Sequence, residues 1–465
     1  MNISLYFNRK NLLALLLAPA LFLTPGCESF VEVDLPSSQL NADAVFEDKA
    51  SAEAAVANIY ARLRDNGMLF GNLSGISNAM GTYADELAFY GGSSDVSQQF
   101  YTNNLVPSNG SIRSWWNEAY SLIYSSNAVI EGVAASTALT GSEKARLSAE
   151  ALFLRSLLHF YLANLFGPVP YVTTTDYRAN STIGRSSVDQ IYQNAIGDLN
   201  QAVLNLPEPD QVQRSRANKA IATALLARIY LYNSNYAEAA DAASYIINNQ
   251  STYHFTGNIQ DAFLKESTEA IWHLTPKNEG QNTAEGAGFI FVSGPPPQVA
   301  LSGELINAFE PEDLRRVHWV KGISDGAATW YHPYKYKERT VTGTSLEYSI
   351  VLRLSEQYLI RAEARALEGN LIGAKEDLDK VRLRAGLGSS PAATQPELLT
   401  AIIQERRLEL FTEFGHRFFD LKRTGLLDAA LEDIKPGWQA TDQLLPIPEN
   451  EMIVNPNLAP QNPGY

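Results

Sequence analysis

The stretch 145–166 constrains this chain more than any other, because it is apolar almost all round, with only a few polar breaks such as Glu150, Arg155 and His159. A helix with apolar residues on every side has no face for water, so the rest of the chain must wrap around it. Gly167, Pro168 and Pro170 end it. With 465 residues there is chain enough to do the wrapping, and a length of ~150 residues per domain sets an expectation of about three units. A composition 45% hydrophobic and 19% charged is that of a globular protein and excludes extensive disorder, collagen-like sequence and a multi-span membrane protein.

The wrapping elements are legible as further helices. Residues 50–64 are rich in alanine, with Val56, Ile59, Tyr60 and Leu63 at helical spacing. Trp116, Tyr120, Ile123 and Asn127 recur at intervals of three and four and form one stripe of a second helix that runs to Ile130, which assigns Trp116 to the core. From 217 to 232, alanines at 217, 220, 224 and 227 make a narrow face that lets a neighbour approach closely. That neighbour follows at once: Asn235 with Glu238 has the spacing of a capping box, and Tyr236, Ala239, Ala240, Ala243 and Ile247 form the returning stripe. A similar unit recurs at Leu359, Ala362 and Ala366, a stop at Gly369 and Asn370, then Leu371, Ala374, Leu378 and Val381. The fold class is therefore mostly α, a scaffold of tetratricopeptide-like helical hairpins with degenerate copies around 145–206 as well. Between the helical blocks, 251–349 is loop-rich, with short β-like runs at 270–274, 288–293 and 317–320 broken by Gly280, Gly294 and Pro295 to Pro297. Its aromatic content favours an ordered, ligand-binding region over a disordered one.

The N-terminus reads as an address. Arg9 and Lys10 precede an apolar run from Leu12 to Leu23, too short for the ~20 residues of a spanning helix and interrupted by Pro19. Small residues then lead to Gly26 and Cys27, the only cysteine in the chain, so an internal disulfide is excluded. A lone thiol directly after a glycine at the end of an export signal resembles the lipobox of a bacterial lipoprotein. The expected layout is a signal peptide over 1–26, a lipidated tether over 27–40 with Cys27 acylated, and a helical domain over 41–465 carrying the loop-rich insert at about 251–349. Cleavage removes Arg9 and Lys10 and no acid, taking the net charge from −15 to −17. Such a chain has no broad electrostatic attraction for phosphate backbones, which excludes nucleic acid as a partner.

Signals for chemistry are sparse. The six histidines, at 159, 254, 273, 318, 332 and 416, show no close ligand spacing with a carboxylate, so no metal and no cofactor is expected. No nucleophile elbow, phosphate loop or Cys/His pair is present. Asp85 beside Glu86 is an acidic pair near aromatics, but adjacency does not place two carboxylates across a glycosidic bond. The charges Glu405, Arg406, Arg407, Glu409, Glu413, Arg417, Asp420 and Arg423 alternate in sign at helical spacing, the pattern of an ion-pair clasp between packed helices. What remains is aromatic. Sugars offer apolar C–H faces and hydroxyl edges, so a site needs ring platforms flanked by amides. Two stretches supply them, although any single large aromatic is more often core than platform. From 83–104 the candidates are Tyr90, Tyr101 and Asn103, and from the loop-rich stretch Trp319, Trp330 and Tyr331, with the Trp330–Tyr331 pair leading.

Several segments resemble, in order, the SusD/RagB family of outer-membrane nutrient-binding lipoproteins of Bacteroidetes. They are AEALFLRSLLHFYLANLFGPVPYV at 149–172, RANKAIATALLARIYL at 216–231, LRLSEQYLIRAEARALEGN at 352–370, AIIQERRLELFTEFGHRFFDLKRTG at 401–425, and the ending LLPIPENEMIVNPNLAPQNPGY at 444–465. Two positions depart from the family pattern: Phe414 stands between Glu413 and Gly415, and Val31-Glu32-Val33-Asp34 replaces the usual Leu-Asp. The resemblance implies a cell-surface, lipid-anchored outer-membrane protein. It would capture an oligosaccharide or polysaccharide fragment and deliver it to a SusC-like TonB-dependent transporter, with no reaction of its own. It also implies a ligand loop just after Asp85-Glu86 and a structural role for the Lys335-Tyr336 pair. A peptide-binding member of the same family and a surface glycan hydrolase are the alternatives left open.

Overall fold

The computed structural model describes residues 45–465 apart from Ser94, Gln211 and Pro436. The expected signal peptide and tether, with Cys27, lie outside the described residues. The first helix, α1 (Lys49–Asp65), is started by Asp48, whose carboxylate accepts the Ser51 N–H, and it buries the predicted stripe Val56, Ile59, Tyr60 and Leu63. Next come α2 (Ile76–Tyr83), buried along its whole length, and a three-residue strand, β1 (Leu87–Phe89). Asn109 caps α3 (Gly110–Ala135), whose buried face includes Trp116 and Ile123 as the spacing predicts. A capping box between Thr140 and Glu143 opens α4 (Gly141–Phe166), in which every residue from Ala149 to Phe166 is buried.

Burial of α4 is achieved by neighbours on both sides. It packs against α3 on one side and α5 (Val188–Asn205) on the other. From α5 the packing runs on through α6 (Lys219–Tyr232) and α7 (Tyr236–Asn248). The chain then leaves the helical stack for the loops, short helices and strands of 249–353 and returns into it at α8 (Leu354–Leu367), which packs directly on α7 and then on α9 (Leu371–Arg384). The stack is thus continuous through space although the sequence interrupts it, the nearest-neighbour architecture of helical repeats. Finally α10 (Gln395–Glu409) lies on α8 and α9, and α11 (His416–Arg423) reaches back to α2. One local expectation fails. Asn235 makes no capping bond to α7; its carboxamide oxygen accepts from Asn233 Nδ2 at 2.6 Å instead, so the capping-box spacing there is coincidental.

Among the described residues, six strands form three antiparallel pairs. β1 pairs with β3 (Val299–Leu301), with Leu87 opposite Leu301 and Phe89 opposite Val299. β2 (Ala270–Leu274) pairs with β6 (Ser349–Arg353) and returns the chain to α8, and β4 (Val320–Ser324) pairs with β5 (Thr329–Pro333) as a hairpin. The run 270–274 is a strand as expected, but two other readings need correction. Ala284–Phe289 is a short helix that takes the start of 288–293, and Leu314–His318 is helical, so the next strand begins only at Val320. Short apolar runs fit either state, and packing chose between them. Around these strands a second core forms from Leu87, Phe263, Phe289, Leu301, Trp319, Tyr336, Ile350 and Phe411, among others.

Charges fasten the strand region to α10. Arg315, fully buried, donates to Asp313 at 2.9 Å, Glu405 at 2.6 Å and Glu409 at 3.1 Å. Glu409 also meets Arg353 and Arg384, and Glu413 meets Lys335 and Arg353. Arg406 and Arg423 share Asp420, and Arg407 and Arg417 share Asp85. Burial alone would raise the Glu409 carboxyl, but Arg384, Arg353 and Arg315 outweigh it and hold the group well below the usual carboxylate range. The cluster 405–423 is therefore an ion-pair clasp.

Candidate ligand-binding site

The two aromatic stretches are distant in sequence and adjacent in space. The β1–β3 ladder continues one bond past its end, where the Tyr90 N–H donates to the Gln298 carbonyl at 2.6 Å, and Gln298 Nε2 donates to Asp95 Oδ2 at 3.0 Å. β3 in turn packs beside β5, which carries Trp330. The loop that carries Tyr90 and Asp95, the turn before β3 and the β4–β5 hairpin are thereby neighbours.

The residues there play unequal parts. Tyr90 is 43% and Tyr101 37% exposed, and Trp330 is half-buried. The Trp330 indole lies against the Gly294 backbone, where a Cβ would fall 2.0 Å from its ring, so only glycine leaves room for the ring there. Tyr101 stands over the Lys435 ammonium, 4.3 Å from the ring centroid, and near Phe89, with centroids 6.2 Å apart. Lys435 Nζ also donates to the Thr82 and Tyr101 carbonyls, the second at 3.2 Å. Burial lowers its pKa to about 8, although Asp85 and Glu304 act against that.

Asn103 and Tyr101 line a cleft of about 540 Å³ whose opposite wall is Ile434, Lys435, Gly437 and Gln439. Asn103 is only 5% exposed and sits at φ +50°, a conformation asparagine tolerates better than most residues. Its Nδ2 donates to the Tyr83 carbonyl at 3.0 Å, while its Oδ1 has no partner. Gly437 fits against the Thr102 carbonyl so closely that a Cβ would stand 1.9 Å from that oxygen.

Two predicted platforms are corrected. Trp319 has no exposed surface: its Nε1 donates to the Ile259 carbonyl at 3.1 Å and its ring meets Phe263 edge-on at 5.2 Å. The residue belongs to the second core, because it closes the short helix just before β4 and is drawn inward with it. Trp330 and Tyr331 do not form one platform either, since successive side chains of a strand point to opposite faces. Tyr331 packs toward the second core with Gly322 opposite it and the Arg316 guanidinium over its ring at 4.5 Å, so that ring face is already covered. Tyr336 is buried and accepts the Ile350 N–H at 2.8 Å, a structural role.

Under the surface lie the adjacent acids. Asp85 is held by Arg417 at 2.7 Å and Arg407 at 2.8 Å. Glu86 accepts the Thr412 N–H at 3.2 Å through one oxygen and has no partner for the other. Burial, then the charge of Asp85, raises its carboxyl to about 8, so it is protonated at neutral pH. Among the described residues no group of three His, Cys, Asp or Glu side chains is placed to hold a metal ion.

Residues 30–231 match a family model described as starch-binding associating with outer membrane, and residues 320–465 match the SusD family model. The chain belongs to the SusD/RagB family. It is 27% identical to SusD-like protein P2 of Formosa agariphila over 95% of this chain and 97% of that one. With the starch-binding protein SusD of Bacteroides thetaiotaomicron it shares 25% identity over 70% of this chain and 74% of the relative. A SusD superfamily structure from Bacteroides vulgatus superposes with a TM-score of 0.78 at 21% identity, covering 90% of this chain and all of that one. A laminarin-binding SusD-like protein superposes with a TM-score of 0.76 at 26% identity and the same coverage. No helix among the described residues of this SusD-family chain is long and apolar enough to cross a membrane. Its surface also contains contributors that sequence reading missed: Lys435, Gly437, Gln298 and Gly294. Lys435 lies 334 residues from the Tyr101 carbonyl it binds, and no local pattern marks such a partner.

Proposed function

We propose that this protein binds a glycan along the arc Tyr101–Tyr90–Trp330 and passes it to a TonB-dependent barrel in the outer membrane. The observation that carries the reading is the bond from the Tyr90 N–H to the Gln298 carbonyl, which brings the segment of the exposed Tyr90 ring beside the turn that touches Trp330. Exposed rings with the Gln298 and Asn103 carboxamides near them suit the alternating C–H faces and hydroxyls of a sugar chain. The laminarin-binding relative supports a glycan as the ligand class. Binding is favoured over hydrolysis because Asp85 and Glu86 are buried and engaged: Asp85 is fixed by two arginines and Glu86 is turned to the Thr412 backbone, so neither faces a glycosidic bond.

The test is Trp330→Ala with calorimetric titration against a panel of soluble polysaccharides that includes laminarin and starch. A ring platform is worth on the order of 1 kcal/mol or more, so affinity falls several-fold while the melting temperature holds. Unchanged affinity, or a large loss of stability, removes Trp330 from the site. Location belongs to the same proposal: Cys27 carries the lipid that holds the protein at the cell surface. Wild type then co-purifies with a barrel protein from outer membranes in mild detergent, and Cys27→Ala is released. A variant that fractionates as wild type does would refute the anchor.

A further inference from the structure

A cleft of about 630 Å³ opens among the helices, with walls from the C-terminal ends of α6 and α8, from α10 and α11, and from the segment 426–430. It shares no lining residue with the cleft under Tyr101. Its volume lies within the ~300–1,000 Å³ typical of small-molecule sites. The apolar wall follows from helix period. Leu399 and Ile403 stand four apart on α10, so they share one face, and both are only half-buried, whereas their neighbours Leu398 and Ile402 are spent in the core. Leu231, Leu367, Leu421 and Leu426 complete an aliphatic lining. The two tyrosines of the cleft are engaged elsewhere: the Arg423 guanidinium lies over the Tyr232 ring at 5.2 Å, and Tyr236 packs against the main core. Aliphatic side chains therefore dominate, which suits an alkyl chain better than the mixed C–H and hydroxyl faces of a sugar.

The polar corner has donors to spare and its acceptors already in use. Arg417 spends Nε and Nη2 on Asp85, both at 2.7 Å, which leaves Nη1 unspent on a residue that lines the cleft. Tyr232 Oη and both Nη atoms of Arg406, which holds Asp420 through Nε at 2.7 Å, are buried without a partner. The acids are closed. Glu363 gives both oxygens to Arg423, at 2.5 and 2.7 Å, and Asp420 gives one oxygen to Arg406 and the other to Arg423.

Charge points the same way. Arg406, Arg407, Arg417 and Arg423 share three carboxylates, those of Asp85, Asp420 and Glu363. Glu86 beside them adds no charge at neutral pH, because burial keeps its carboxyl protonated. Guanidinium nitrogens with no acceptor are costly in a buried site, and a carboxylate supplies both the acceptor and the counter-charge. We propose that this cleft binds a medium-chain aliphatic carboxylate, with its alkyl chain along Leu399, Ile403 and Leu421 and its carboxylate on Arg417. The site is independent of the glycan reading and of the aromatic arc.

The experiment is calorimetric titration of the chain carrying Cys27→Ala, so that no detergent competes, with hexanoate, octanoate and decanoate below their micelle thresholds. Decanol and decyltrimethylammonium serve as neutral and cationic counterparts. One site is expected, with affinity rising about 2- to 4-fold per added methylene as the chain is buried. Decanol binds about 5- to 10-fold more weakly than decanoate for want of the charged hydrogen bond, and the cation more weakly still. Leu399→Gln and Ile403→Gln each weaken decanoate about 3- to 10-fold, and Trp330→Ala binds it as the parent does. The inference is overturned if decanoate does not bind, if affinity is flat across the chain lengths, or if decanol or the cation binds as tightly as decanoate. Loss of decanoate binding in Trp330→Ala with retention in both α10 variants would also overturn it, by moving the ligand to the arc. The chain-length and head-group series need no substitution in the cleft, so they decide the matter even where an α10 variant folds poorly.

Discussion

Glu86→Gln should stabilise this protein at alkaline pH and leave it unchanged in acid. In the folded chain Glu86 is buried beside Asp85, with one oxygen on the Thr412 N–H and the other unpartnered, and its carboxyl is raised from 4.5 to about 8. Below pH 4.5 both folded and unfolded chains hold the proton, so the group is neutral in the balance. Between 4.5 and about 8 the unfolded chain releases its proton while the folded chain keeps it. Fewer protons on the unfolded state means that stability falls as pH rises through this window and then levels off. At about 1.4 kcal/mol per decade, the interval corresponds to a loss on the order of 5 kcal/mol by pH 8. Glutamine keeps an acceptor for the Thr412 N–H and cannot ionise, so it removes the loss. Arg417 and Lys335 near the group act in the opposite direction and do not reverse it. Urea unfolding of wild type and variant at half-unit steps from pH 4.5 to 9 measures the difference directly. The two curves should coincide at the acid end and diverge progressively, with the variant more stable by a few kcal/mol at pH 8. Parallel curves across the range would mean that Glu86 ionises normally in the folded protein, and the reasoning would be wrong.

Two further substitutions separate core from site. Trp319→Ala removes a fully buried ring and its bond to the Ile259 carbonyl, so it should lower stability by about 3–5 kcal/mol in a urea titration. Glycan affinity measured below the melting transition should not change, and a selective loss of affinity would return Trp319 to the site. Glu409→Gln leaves Arg315, Arg353 and Arg384 sharing a buried pocket with their common counter-charge gone, a cost of about 3–5 kcal/mol visible as a lower urea midpoint. A midpoint within error of wild type would show that the clasp contributes little.

The helical stack was readable from the chain because its signals are local. The all-apolar α4, the alanine face of α6 and the stop at Gly369–Asn370 each follow from spacing and turn chemistry within a few residues, and neighbouring repeats contact mainly each other. The alternation of charges over 405–423 likewise announced an ion-pair clasp before its partners were known. Those partners were not legible, since Arg315 and Arg353 lie 94 and 56 residues from the Glu409 they meet.

The candidate surface divides in the same way. Sequence supplied the residue types; the structure leaves Tyr90 and Tyr101 exposed, half-buries Trp330 and sets Asn103 in the cleft beside Tyr101. It could not tell Trp330 from Trp319, eleven positions apart in equally irregular sequence, because only the packing of Trp319 against Phe263 consumes one ring and only the glycine at 294 leaves the other half open. Nor could it separate Trp330 from Tyr331 until β5 was known to be a strand, which turns neighbours in sequence to opposite faces. Local pattern determined which elements form, because helix period, caps and turns act over a few residues. Exposure, pairing and the joining of 90–104 to 291–301 were decided only by the tertiary structure, because they depend on contacts between groups that the backbone brings together from hundreds of residues apart.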